Sequence, residues 1–116
     1  MGDLSTHFNR KEFACQCGCG FNTVDSLLLE ALESIREHFD SPITITSGCR
    51  CLTHNAAVGG VEDSQHTKGR ASDIQVSGTS PTIVSKYVRS LGILSVGSYD
   101  TFTHIDSRSG IPQRWS

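Results

Sequence analysis

The apolar positions change period several times along the chain, and each change marks an element. Leu28, Leu32, Ile35 and Phe39 recur at intervals of 4, 3 and 4, which is one face of a helix. Thr23 or Asp25 is placed to cap that helix, and Ser41-Pro42 stops it. Ile43-Thr44-Ile45-Thr46 is β-branched throughout and alternates, so it predicts a strand that ends at Ser47-Gly48. A short helix is expected over 53–58, closed by Gly59-Gly60, with a polar loop over 61–71 after it. Residues 73–76 read as a second strand. Ser80-Pro81 opens another helix with proline at its first position; Ile83, Tyr87 and Leu91 share a face and Gly92 ends it. Two more strands are expected over 93–96 and 102–106. The first 22 residues are irregular and rich in glycine and cysteine, and the tail, with Gly110 and Pro112, is polar. The sum is an α+β fold: a small, mainly antiparallel sheet with helices packed on one side.

Length and charge narrow the classes. The 116 residues suit one domain, 1–116. Ten Lys and Arg against 12 Asp and Glu leave a net charge of −2, which excludes a strongly basic nucleic-acid surface. With 36% hydrophobic and 19% charged residues, the composition is that of a folding chain rather than a disordered one. No apolar run approaches the ~20 residues of a membrane span, and Met1–His7 lacks the basic and apolar regions of a signal peptide. No nucleic acid, no membrane and a monomer are therefore expected.

Candidate chemistry gathers in Ser64-Gln65-His66-Thr67-Lys68-Gly69-Arg70-Ala71-Ser72-Asp73 and in His104-Ile105-Asp106. The loop presents His66, Gly69 lets the backbone turn, and the chain enters a strand at Asp73. Residues i and i+2 of a strand share a face, so His104 and Asp106 point the same way. Two imidazoles and a carboxylate are a natural zinc set, and three protein donors leave a fourth position for water. Spacing alone leaves this open beside solvated histidines on a polar loop.

Ser64-x-His66-x-x-Gly69-x-Ala71-x-Asp73 followed by His104-x-Asp106 resembles the zinc D-alanyl-D-alanine carboxypeptidase family, which includes phage endolysins that cut peptidoglycan stem peptides. Thr46-Ser47-Gly48-Cys49-Arg50, Asn55-Ala56-Ala57-Val58-Gly59-Gly60, and His7-Phe8 through Glu12-Phe13-Ala14-Cys15 resemble its compact phage and prophage branch. The resemblance spans residues 6–108 and implies a fold shared with the hedgehog signalling domain. By position it implies His66, Asp73 and His104 as zinc ligands, and Arg50 as the arginine that holds the substrate or polarises its carbonyl. A guanidinium can pair with a terminal carboxylate or donate to an oxyanion; a surface ion pair is the alternative. Ser64 is either a substrate contact or a loop cap.

One departure stands out. Many relatives carry a carboxylate three residues before the last ligand, as the base, where this chain has Thr101. Asp100, four residues before His104, is the expected base in its place. Tyr99 is either a hydroxyl donor or a packed aromatic, and Asp106 orients a ligand or Arg50. His7, His38 and His54 read as structural or solvated, the last turn of a helix favouring His38 as a cation. Lys68 and Arg70 can attract an anionic peptide or simply be solvated.

Cys15, Cys17 and Cys19 form one cysteine cluster, and Cys49 and Cys51 the other. They can form a disulfide between clusters, bind a second metal, or stay reduced. Cys49 as a cysteine-protease nucleophile has no histidine aimed at it in sequence. The expectation is thus a single-domain zinc peptidase of peptidoglycan peptides. It would be made in the cytoplasm and act at the cell wall, in phage lysis or on a virion. The rivals are a non-catalytic zinc-binding module on the same scaffold and a virion structural protein.

Overall fold

The computed structural model describes residues 5–15, 24–48, 50–58, 65–92, 94–108 and 114–115. Thr23, Cys17, Cys19, Cys49, Gly59-Gly60, Ser64 and Ile93 lie outside them, as do the side chains of His54 and Lys68.

A 3-10 turn, Arg10–Phe13, precedes the helix α1 (Ser26–Phe39). Strand β1 (Ile43–Ser47) leads to the short helix α2 (Leu52–Ala57) and a second 3-10 turn, Gln65–Lys68. Strand β2 (Ala71–Val76), helix α3 (Pro81–Leu91) and strands β3 (Ser95–Ser98), β4 (Thr103–Asp106) and β5 (Arg114–Trp115) follow. The five strands stand in the order β1-β2-β4-β3-β5. Neighbours among the first four run antiparallel, and β5 joins in parallel, on β3.

Strand alternation sorts the sheet into two chemical faces. Ile43, Ile74, Val76, Val96 and Ile105 are buried in one cluster with Leu28, Leu32 and Ile35 of α1 and Val84 and Val88 of α3. The register sets Ile43 against Val76 and Val96 against Ile105, so these side chains meet on one face. The two long helices cover that face. Asp73, His104 and Asp106 alternate with Ile74 and Ile105 and therefore stand on the other.

Most of the expected elements are present, with shifted edges. The second strand begins at Ala71 rather than 73, and the third runs over 95–98 rather than 93–96. The helix face expected from Ile83, Tyr87 and Leu91 is corrected: Val84 and Val88 are buried at 2% and 0%, while Ile83 is 56% exposed. Both stripes have helical spacing, and the side of α3 that meets β3 and β4 decides between them. Ser85 confirms that orientation, its hydroxyl lying 3.5 Å from that of Thr103. Ser80 caps α3 as expected, accepting from the Ile83 amide. Asp25 stands at the N-cap of α1 but its side chain makes no cap bond. It accepts instead from Ser107 Oγ at 2.8 Å, while its own amide donates to the Gly69 carbonyl at 2.8 Å. His38, placed in the last turn of α1, stacks on Tyr87 with ring centroids 3.8 Å apart.

The N-terminal segment is part of the core. Phe8 and Phe13 are buried, and Glu33 of α1 accepts bonds from Ser5 and from the His7 backbone and is paired with the His7 ring. The backbone of Phe13 runs so close to Gly48 that a Cβ there would lie 2.5 Å from the Phe13 carbonyl oxygen. Such a contact is closed to any residue but glycine. Gly48→Ala is expected to lower unfolding stability by about 1–3 kcal/mol through overpacking, read as an earlier midpoint in urea unfolding.

Candidate metal centre

Three elements bring the central side chains together. Asp73 in β2 and His104 in β4 are direct cross-strand partners in the antiparallel register. Gly97 of β3 faces His104 from the other side and puts no side chain beside the imidazole. His66 arrives from the second 3-10 turn. That turn is closed by Gly69, whose φ of +68° is the left-handed conformation glycine adopts without a steric cost. The Gly69 carbonyl is held by Asp25 and the Arg70 carbonyl by the Ser107 amide at 2.9 Å, which ties the loop to the start of α1 and the end of β4.

One donor atom from each of His66, Asp73 and His104 lies within 4.8 Å of the other two. Asp73 Oδ1 is 3.4 Å from His66 Nε2 and 2.9 Å from His104 Nδ1. A tetrahedral ion with bonds of ~2.0–2.2 Å spaces its donors about 3.4 Å apart, so this cluster is of the right size. The outer ring nitrogens are engaged elsewhere. His66 Nδ1 bonds to the Gly48 carbonyl, and His104 Nε2 lies 2.8 Å from Asp106 Oδ2. Each partner is an acceptor, so each outer nitrogen carries a proton, and both inner nitrogens face Asp73 Oδ1.

The charges around this cluster are matched. Burial alone would push the Asp73 carboxyl up, but bonds from His104 and His66 outweigh it and hold the group down at about 2. Burial opposes the charge of His104 as well; its bonds to Asp106 and Asp73 nonetheless raise it above the ordinary imidazole value. Asp106 is fully buried, and burial is again overcome, here by Arg108 and His104, leaving its carboxyl well below the usual range. Arg108 donates through Nε at 2.7 Å and Nη2 at 2.6 Å, a paired contact of the strong kind.

Arg50 also reaches the centre. Its Nη2 stands 3.7 Å from Asp73 Oδ2, Nη1 donates to the buried Asn55 at 3.0 Å, and Nε reaches Ser47 Oγ at 3.4 Å. Its amide donates to the His66 carbonyl at 2.9 Å, so backbone and side chain both fasten it to the donor cluster. Asp100 is placed differently: it is exposed in the turn between β3 and β4, outside the converging donors. Tyr99, 42% exposed, stacks on Phe102 with centroids 4.5 Å apart. The Thr101 carbonyl accepts from Gln75 at 2.8 Å. The sulfurs of Cys15 and Cys51 are 3.8 Å apart.

Sequence reasoning missed the part played by five residues. Gly48 acts through a carbonyl, which no side-chain pattern reports. Asn55 lies in a short helix whose facing depends on the tertiary fold. Asp25 and Ser107 meet across 82 positions. Arg108 was within reach, because it continues the i, i+2 alternation of His104 and Asp106.

A family model described as Peptidase M15 matches residues 6–106. No curated protein matches the chain.

Two measurements follow from this geometry. Asp106→Asn weakens the acceptor that fixes His104 and is expected to lower metal affinity about 10–100-fold, by isothermal titration with zinc. Asp73 and Asp106 are held below their ordinary value of 3.8, so in the metal-free chain they stabilise the fold above that pH and cease to do so in acid. For Asp73 the window runs from near 3.8 down to about 2 and is worth about 2 kcal/mol. Urea unfolding of the metal-free chain is expected to show that loss, and Asp73→Asn to flatten it.

Proposed function

The chain belongs to the peptidase M15 family, and from that premise we propose that it is a zinc-dependent peptidase cutting stem peptides of peptidoglycan or their cross-links. The observation that carries this reading is the convergence of His66, Asp73 and His104, three donors of the type and spacing that suit zinc. His66 Nε2, Asp73 Oδ1 and His104 Nδ1 would hold the ion. The chemistry a bound zinc supplies is polarisation of the scissile carbonyl and a fall in the pKa of water from ~15.7 toward ~7.

The protein's own groups do the rest. Arg50, fixed by Asn55 and Ser47, directs its guanidinium to the substrate. It pairs with a terminal carboxylate or donates to the oxygen that gains charge as the carbonyl is attacked. Asp106 keeps His104 in one tautomer and one orientation; its carboxylate, spent on Arg108, is too weak a base to move a proton at neutral pH. Asp100, exposed in the turn between β3 and β4 and outside the donor set, is proposed as the group that takes the proton of the attacking water and passes it to the leaving amine.

Stem peptides are the proposed substrate class because an arginine held beside the donor cluster suits a short chain that ends in a free carboxylate. The place of action is then the cell wall, in phage lysis or on a virion. A second reading rests on Thr101, which stands where many relatives carry a carboxylate: the centre binds metal without turning over.

Digestion of purified muropeptides, followed by mass spectrometry with and without a chelator, tests both. Loss of a terminal alanine or of a cross-link, abolished by chelator and by His66→Ala, is the expected result. Arg50→Ala is expected to lower kcat/KM about 10²–10³-fold with bound zinc retained, and Asp100→Asn to lower kcat alone. Full turnover by the His66 variant overturns the ligand set; stoichiometric zinc with no cleavage selects the second reading.

A further inference from the structure

The N-terminal segment and the stretch that carries Arg50 meet a second time, through sulfur. Cys15 Sγ and Cys51 Sγ are 3.8 Å apart, and the Cys51 amide donates to Cys15 Sγ at 3.4 Å. Cys15 is buried and Cys51 is partly so. Two features independent of the sulfurs fix this approach. Phe13, two residues before Cys15, is buried with its backbone against Gly48, and the Arg50 amide is bound to the His66 carbonyl. The two thiols therefore face each other because the surrounding chain holds them there.

We propose that Cys15 and Cys51 form a reversible disulfide that staples the N-terminal segment to the Arg50 stretch. Bonded sulfurs stand ~2.05 Å apart, so closure asks for a movement of less than ~2 Å, within the reach of side-chain torsions. The oxidant is a small-molecule disulfide such as glutathione disulfide. The Cys51 thiolate, the more accessible of the two, attacks it and expels one glutathione thiolate. Cys15, as thiolate, then attacks Cys51 Sγ in the mixed disulfide and expels the second. The protein loses two protons and two electrons, and the oxidant leaves as two reduced thiols. The closed ring joins positions 36 apart and encloses all of α1 and β1. It restricts the unfolded chain and ties Arg50 to the core through its own neighbour. This link is separate from the donor cluster and stands whether or not that centre cuts peptides.

The test is a disulfide map of the full chain equilibrated with glutathione disulfide, alkylated, digested and weighed. The expected product is a Cys15 peptide joined to a Cys51 peptide, lighter by about 2 Da than the two thiol peptides. Reductant is expected to lower Tm by about 10 °C. Cys15→Ser and Cys51→Ser each abolish that reductant-dependent shift. The combined variant Cys17→Ser, Cys19→Ser, Cys49→Ser, which leaves only the proposed pair, keeps it; if these variants fail to fold, the map of the natural chain decides. Three results overturn the proposal. Cys15 or Cys51 is found joined to Cys17, Cys19 or Cys49, or both are alkylated after oxidation. In the third, the thiols are shielded by zinc and released by chelator rather than by reductant.

Discussion

The pairing of β2 with β4 in a single register is the constraint on which the rest depends. It sets Asp73 opposite His104 and, one position on, Ile74 opposite Thr103. Because side chains alternate, a slip of one residue would turn Asp73 into the apolar layer and Ile74 out of it. Ile74 and Ile105 are 1% and 0% exposed, so the hydrophobic effect holds the register against that slip. Core and centre are thus two consequences of one strand pairing. The packing of α1 and α3 on one face is what keeps Asp73 and His104 opposed on the other.

Placing ionised groups on a largely shielded surface is costly unless each has a partner. Here the partners are arranged as an alternating chain: Arg50, Asp73, His104, Asp106, Arg108. Every anion lies between cations or imidazoles, and every bond in the chain also fixes an orientation. Arg108 binds Asp106, which in turn holds His104, so it bears on how freely His104 can turn. The Gly48 carbonyl does the same for His66 without any charge. Rigidity at the donors comes from this outer ring of contacts, and that is what a site that must present several atoms to one point needs.

Much of this was legible in the sequence. The α1 face read from Leu28, Leu32 and Ile35 is the buried one, and the Ser80-Pro81 start of α3 is where the helix begins. The i, i+2 relation of His104 and Asp106, read from strand alternation, is realised as a hydrogen bond. Local chemistry explains these successes, since each depends on neighbours a few positions apart. Where choice depended on distant partners, the sequence was silent. Ile83 and Val84 both begin plausible helical stripes, and only contact with the sheet separates them. Asp25 looked like a local cap because no local pattern shows Ser107 waiting beyond the last long strand. The two carboxylates near the end of the chain show the same limit: Asp100 and Asp106 differ in sequence by little, and in the fold one is exposed while the other is locked to Arg108.

The tie from Asp25 to Ser107 and Gly69 bears on how the molecule assembles. A helix whose N-cap residue is gripped by groups 44 and 82 positions away cannot be completed as a local event. Its amphipathic middle can nucleate early, yet its amino end stays unanchored until β4 has been laid down and the loop after His66 has turned. Long-range closures of this sort carry a large entropic toll before any contact repays it, and they slow folding relative to chains built from neighbouring contacts. The corner that gathers His66, Asp73 and His104 is then a late product of folding, ready only when both halves of the polypeptide have already met.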